Sequence, residues 1–401
     1  MARQSLNVSV VPRLDQVDLL RGFSILGVIL LHISIFAHAG KISLGQHMPL
    51  WLSYLVFSNG GNGVSAFFVV SGFLITLTSI RRFGSLDEMR VGRFYRIRFA
   101  RIAPPLFLLL VVLSAMHLAK VPRFRINPQV CSLPRPVFSA LTFHLNWLEA
   151  VHGWLPPCWT VLWSLSIEEM FYLAFPLACA GLYRKCLTKV LFFAVLAGLI
   201  VVGPFARTVL TSNEIWQGQS YLSNMDGIAM GCLCAIFTDW CSSPSKLTST
   251  RWPLAMQLLG AMTMLLVAVW PWPTTILGWH FKHAMAKSGT DVTVLIFGTA
   301  LFVCGSAMRG NRGNALLEPI RWFGRYSYEV YLSHEFAVIA VLTTFFKVRR
   351  GPIVLWVALV VLSTAVLGWG FAQYFSEPMN RKLRGRSAPT ELHAESQRCG
   401  C

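Results

Sequence analysis

Ten apolar stretches leave this chain few folds to choose from. They lie at about 19–36, 63–80, 102–119, 160–182, 187–206, 225–240, 253–272, 291–308, 326–346 and 352–375. A helix of roughly 20 apolar residues crosses a hydrocarbon layer about 30 Å thick, and backbone that faces lipid must satisfy its own hydrogen bonds. The expected fold is therefore all-α, a polytopic transmembrane bundle of about ten helices, with 225–240 the shortest. Composition agrees: 55% of the residues are hydrophobic and only 13% charged, which excludes an ordinary soluble domain of 401 residues. Residues 1–380 read as one transmembrane unit and 381–401 as a polar, basic tail expected to be disordered.

Lys and Arg set the expected orientation. With the N-terminus inside, the inner segments carry them over the outer ones by roughly two to one, so both termini are predicted cytoplasmic. Topology then accounts for the formal charge of +18, and no nucleic-acid partner is needed to explain it. Arg3 and Arg13 before an apolar run ending in Ala37-His38-Ala39 imitate a cleavable signal peptide, but Asp15, Asp18, Arg21 and His32 interrupt that pattern, and retention is expected. The terminal Cys399-Gly400-Cys401 resembles a lipidation signal that a chain of ten helices does not need.

The first apolar helix carries three ionisable groups. Asp18, Arg21 and His32 are separated by three and eleven residues and share one stripe. At about 1.5 Å per residue His32 lies roughly 16 Å beyond Arg21 along the axis, at a depth where charge is costly and usually functional. A structural imidazole bonded to a neighbouring helix is the bland alternative for His32. In the second helix Gly63, Ser65, Ala66, Ser71 and Gly72 permit close helix approach.

The next loop holds Arg81, Arg82, Arg90, Arg93, Arg96, Arg98 and Arg101, and no lysine. A positive-inside loop would be served by either cation, whereas the planar guanidinium fork suits bidentate recognition of phosphate. Arg98 and Arg101 are one helical turn apart and lead directly into the third apolar segment.

Segment 120–158 is expected outside, with a short interfacial helix through Phe138, Leu141, Leu145 and Leu148. It also places Cys131 and Cys158 where a disulfide between them is open. The other cysteines read as small hydrophobes, and no Cys/His spacing resembles a zinc site, so no metal is expected. Trp147, Trp154, Trp159 and Trp163, with Trp270, Trp272 and Trp279, read first as an interfacial belt and second as surfaces for stacking sugars. In the fourth helix Ser164 and Glu168 share a face, whereas Glu168 and Glu169 cannot both point inward; an ion pair to an arginine is the structural alternative.

Taken together, five motifs in order resemble the acyltransferase-3 family of integral membrane O-acyltransferases. They are Asp18-Leu19-Leu20-Arg21-Gly22 with His32, Phe67 to Ile75, the Arg96/Arg98/Arg101 run into Pro104, Trp163-Ser164-Leu165 with Glu168, and Tyr326-Ser327-Tyr328 with Tyr331-Leu332 and His334. One departure is Asn224 before Asp226-Gly227, where similar proteins often have an arginine.

The resemblance implies a bacterial inner-membrane enzyme that moves an acyl group, expected to be acetyl, from a coenzyme A donor to a hydroxyl of a carbohydrate or glycolipid. Acyl-coenzyme A would be a co-substrate, with no permanently bound cofactor. His32 is the expected general base, with Glu168 orienting it or the acceptor hydroxyl and Arg21 and Asp18 beside it. Arg96, Arg98 and Arg101 would hold the donor phosphates, and His334 would be structural. The rival reading is a secondary transporter or flippase using buried Arg, Glu and His as relays, against which stands the lack of an internal repeat.

Overall fold

The computed structural model describes residues 14–46, 48–183, 186–241, 251–269, 289–310 and 313–384. Arg3, Arg13, Trp270, Trp272, Trp279 and the tail from residue 385 lie outside these. Among the described residues the chain is a helical bundle with no strand. Among these residues nine helices are long and apolar enough to cross a membrane. The tenth expected segment is also helical, Tyr221–Cys241, but Asn224 and Asp226 make it less apolar.

The helices in order are α1 (Asp15–Ala39), α2 (Leu50–Phe57), α3 (Gly60–Phe83), α4 (Val91–Leu118), α5 (Pro134–Leu141), α6 (Leu145–His152), α7 (Pro157–Thr160), α8 (Leu162–Leu182) and α9 (Cys186–Thr208). They continue with α10 (Glu214–Gln219), α11 (Tyr221–Cys241), α12 (Arg251–Val269), α13 (Thr290–Arg309), α14 (Glu318–Arg325), α15 (Ser327–Val348), α16 (Ile353–Phe371) and α17 (Glu377–Arg384). Helix α3 is central: 61% of its apolar window is buried, against 17% for α12 and for the α16–α17 span. The outlying helices keep apolar side chains outward, as a bilayer requires.

Small residues decide how close the central helices come. A β-carbon at Gly72 would collide with the Ile228 carbonyl, so α3 and α11 cross nearly backbone to backbone. A second crossing matters for the site. A β-carbon on Gly22 would strike the Ile320 carbonyl, and one on Gly324 would strike Asp18, so α14 lies tightly along the start of α1. Helix α14 falls between the apolar stretches 291–308 and 326–346. Its Arg321 is buried against Glu318, and Arg325 reaches the same carboxylate at 2.5 Å, so the basic residues form an amphipathic helix that covers α1.

Further tethers fix the periphery. Asp226, fully buried, pairs with Arg207 of α9 at 2.8 Å, and Arg207 also donates to the Ser223 carbonyl at 2.5 Å and to Thr293 at 2.7 Å. The guanidinium missing at position 224 is thus delivered from another helix, and it ties α9, α11 and α13 together. Asn224 instead donates to the Gly218 and Ser220 carbonyls. Cys131 and Cys158 are buried free thiols, so the bridge left open between them is not made; the cysteines that meet are Cys234 and Cys304, on α11 and α13.

After α16 the chain passes through a π-helical turn, Ala372–Ser376, into α17, which packs on α4. The boundary expected at residue 380 falls inside this helix, which continues to Arg384.

Candidate active site

Two groups of side chains share α1. At its start, Arg21 donates to the hydroxyl of Ser327, the first residue of α15, at 2.7 Å and lies 3.6 Å from the Asp18 carboxylate. Arg21 also opens onto a cavity between α3, α4, α8 and α15 whose lining includes Arg98, Arg101, Ser164, Glu168, Tyr172 and Tyr331. Arg98 and Arg101 reach it from the first half of α4, just before Pro104 and Pro105. Those prolines cannot donate back to the carbonyls of Ala100 and Arg101, so the helix loses ladder bonds where the guanidinium groups turn inward. Arg98 lies over the Tyr172 ring, 4.4 Å from its centroid, which holds the fork in place.

One expectation about this cavity needs correction. Arg96 is exposed on α4 and does not line it, because two residues along a helix turn a side chain well away from Arg98. Asp18, expected beside His32, instead contacts Arg21 at the start of α1. Glu168 does line it, sharing a face with Ser164 as the spacing predicts, and it faces Arg98, Arg21 and Arg101 and bonds Ser71. Glu169 is buried beside it without bordering the cavity, and its Oε1 has no hydrogen-bond partner among the described residues.

The second group lies deeper on α1. His32 Nδ1 makes a short contact with Oε1 of Glu335, on α15, so the carboxylate that orients His32 is Glu335 and not Glu168. The side chain of Glu335 is 3% exposed and that of His32 22%. A carboxylate on Nδ1 fixes the ring orientation and places the proton there, leaving Nε2 as the basic nitrogen. Beside them His334 is fully buried, its ring edge-on to His32 at 5.0 Å between centroids. Its Nδ1 lies 2.7 Å from the Tyr331 carbonyl, which can only accept. In the neutral ring Nε2 is then the lone-pair nitrogen, and it lies 3.9 Å from Glu335 Oε1, too far for a hydrogen bond.

Tyr331 joins the two groups. Its hydroxyl donates to the Val161 carbonyl at 2.8 Å and lies 2.8 Å from Ser164 on the cavity wall, while its backbone holds His334. His32, His334 and Glu335 also offer three metal-ligating atoms, all within 4.8 Å of one another. That grouping spans two helices, which is why no linear Cys/His spacing shows it.

Sequence reasoning missed Glu335, although a carboxylate inside the apolar run 326–346 was the available signal. It also missed Arg384 and the cavity role of Arg82, both of which line the same cavity.

Around α6 and α7, Trp147 and Trp154 are 55% and 58% exposed, as belt residues would be, whereas Trp159 is fully buried and Trp163 packs edge-on against Phe68. In α6 the Glu149 carboxyl accepts from the Leu155 amide at 3.1 Å and from the Thr160 hydroxyl at 2.6 Å. Burial pushes it up to about 7, against the pull of those two bonds.

Comparison with known proteins sets this geometry in a family. A family profile described as "Acyltransferase domain" matches residues 14–371. The chain belongs to the acyltransferase-3 family. Among its relatives, the O-acetyltransferase OatA of Staphylococcus aureus (strain NCTC 8325 / PS 47) is 22% identical over 387 residues, covering 92% of this chain and 57% of that protein. The putative peptidoglycan O-acetyltransferase YrhL of Bacillus subtilis (strain 168) is 25% identical over 386 residues, covering 90% and 54%. The peptidoglycan O-acetyltransferase OatA of Listeria monocytogenes is 22% identical over 345 residues, covering 82% and 53%. The chain thus spans a little over half the length of these relatives, and no solved structure matches it.

Proposed function

We propose that this acyltransferase-3 family protein is a membrane O-acetyltransferase that moves an acyl group from a coenzyme A thioester to a carbohydrate hydroxyl. The carrying observation is the His32–Glu335 pair, set on the same helix as an arginine-lined cavity and separated from it by Tyr331. The relatives' names point to peptidoglycan or another exported bacterial glycan as acceptor.

In this reading the acceptor hydroxyl gives its proton to His32 Nε2 while its oxygen attacks the thioester carbonyl. The C–O bond forms, the C–S bond breaks, and the departing thiolate takes the proton from the imidazolium. A positioned imidazole typically contributes about 10²- to 10⁴-fold to such a step, and Glu335 stabilises the charge that develops on it. Arg98 and Arg101 hold the donor phosphates, and Glu168 keeps these guanidinium groups and Arg21 in register. With both termini in the cytoplasm of a bacterial plasma membrane, the donor enters from the arginine side and the acceptor from the opposite face.

The test uses purified protein in oriented proteoliposomes, with acetyl-coenzyme A at the arginine face and a glycan acceptor at the other. Free thiol and acetylated glycan should appear together, and His32→Gln should slow both about 10²- to 10⁴-fold. Passage of a solute with no thioester cleavage would replace this reading with the transporter. Product formed only when donor and acceptor share one face would remove the two-sided passage alone.

A further inference from the structure

The cavity carries more positive charge than α4 supplies. Five arginines line it against a single glutamate, and they come from four helices: Arg21 from α1, Arg82 from α3, Arg98 and Arg101 from α4, and Arg384 from α17. Arg21 is answered by Asp18 and Ser327. Arg384 is not answered in that way. The charged groups that face it are Arg101, Arg82 and Arg98, all of its own sign, and its buried Nε has no hydrogen-bond partner among the described residues. Like charges held this close in a partly dry space repel, so a fold that gathers them needs an anion among them.

The placement of Arg384 is built into the chain. The π-helical turn before α17 is stitched to the start of α15, with Ser376 donating to Glu329 at 2.6 Å and Gln373 donating to the Tyr326 hydroxyl at 3.1 Å. From that joint α17 runs back over α4 and ends with Arg384 at the cavity. Arg381 and Lys382, on the same short helix, are exposed, as residues of a solvated basic tail would be.

Resting on the donor reading above, we infer that the C-terminal helix α17 is an arm of the donor site, whose Arg384 closes with Arg98 and Arg101 on the nucleotide phosphates of the acyl donor. The ligand class is a polyphosphorylated nucleotide thioester. Guanidinium forks arriving from separate elements can bind several phosphate groups at once, which charges on a single helix face cannot do.

Kinetics with two donors test it. Acetyl-coenzyme A carries the nucleotide phosphates, and S-acetylpantetheine presents the same thioester without them. Arg384→Ala should raise KM for acetyl-coenzyme A about tenfold with kcat within about twofold, and should shift KM for S-acetylpantetheine by less than twofold. Arg384→Lys, which keeps the charge and the fold of α17, should fall between. A parallel rise for both donors would mean that Arg384 only holds the helix, and no rise for acetyl-coenzyme A would mean that it does not touch the donor; either overturns the inference.

Lipid headgroups carry the same phosphate chemistry, so the measurements are run in nanodiscs of phosphatidylcholine alone and with added phosphatidylglycerol. An Arg384 effect seen only with phosphatidylglycerol assigns the group to lipid and overturns the nucleotide site. If the wild-type protein cleaves no coenzyme A thioester, the donor reading itself fails. Binding of adenosine 3′,5′-bisphosphate, measured by calorimetry on wild type and Arg384→Ala, then decides separately: binding lost in the variant supports the anion arm, and binding unchanged or absent overturns it.

Discussion

The arginine cavity and the His32–Glu335 pair hang from one helix, yet they are built in opposite ways. The cavity collects guanidinium groups from four helices around one shared space. The pair consists of two side chains from two helices, one nearly inaccessible, joined through His32 Nδ1 and Glu335 Oε1. Binding many charges tolerates redundancy, because each arginine adds a share of the attraction. Moving one proton does not, because a single nitrogen must sit in a single orientation.

That difference predicts unequal consequences of substitution. The largest effect should follow His32→Gln, which keeps hydrogen bonding and loses basicity, with kcat falling about 10²- to 10⁴-fold while donor KM changes little. Glu335→Gln should cost about 10²-fold, because the imidazole would lose the group that fixes its tautomer. The double variant should be no worse than His32→Gln alone, since Glu335 acts through the imidazole. Thiol release from acetyl-coenzyme A measures all three, and additive losses would show that the two residues work independently.

Smaller effects belong to the cavity. Arg98→Lys keeps the charge but loses both the planar fork and the stacking on Tyr172, so donor KM should rise roughly tenfold with kcat retained. Arg96→Lys should change neither parameter by more than about twofold, because Arg96 lies outside the cavity. Equal responses at the two positions would erase the distinction between an arginine that lines the space and one that serves topology.

The same contrast explains what could be read from sequence. Apolar runs announced the helices, because lipid imposes one residue type over a fixed length, and even 225–240 proved helical. The α4 arginines were legible because they are neighbours in the chain. Partnerships between distant helices were not: nothing local to His32 names Glu335, 303 positions later, and residue 334 drew attention away from its neighbour. Arg384 looked like tail because three cations in four residues resemble a solvated terminus; only the turn at Ala372–Ser376 and its bonds to α15 show that the chain comes back. The short helix α14 was hidden for a related reason. Its apolar face is too brief to register in a window sized for a membrane span, and its partner is the Gly22 crossing on α1.

A more modest effect concerns pH and separates stability from chemistry. The Glu149 carboxyl, buried in α6, is raised from an ordinary value of 4.5 to about 7. The folded state therefore holds this proton more tightly than the unfolded chain does. The sign follows: Glu149 costs nothing below about pH 4.5, and stability is lost as pH rises from there through about 7, by at most about 3 kcal/mol. Thermal unfolding in detergent from pH 5 to 8 should show a falling midpoint, and Glu149→Gln should flatten the slope. Any pH dependence of turnover that survives in this variant then belongs to the site. A slope unchanged by the substitution would mean that other groups control stability.

The smallest expected effect is that of chelation, and it bears directly on what the deeper group is for. His32, His334 and Glu335 could in principle share a cation, since their ligand atoms fall within 4.8 Å. The direct contact between His32 Nδ1 and Glu335 Oε1 fits a proton shared between them. His334 stands beside them, its Nε2 3.9 Å from Glu335 Oε1 and without a hydrogen-bond partner among the described residues, so it is the third ligand that a divalent cation would use. Turnover should therefore be unchanged by EDTA or 1,10-phenanthroline, and added Zn²⁺ should inhibit by capturing the base, reversibly on chelation. His334→Ala should weaken that inhibition by removing one ligand. Activity lost to chelators and restored by a metal would reverse the assignment: the deeper group would then be a metal centre, and His32 a ligand in place of a base.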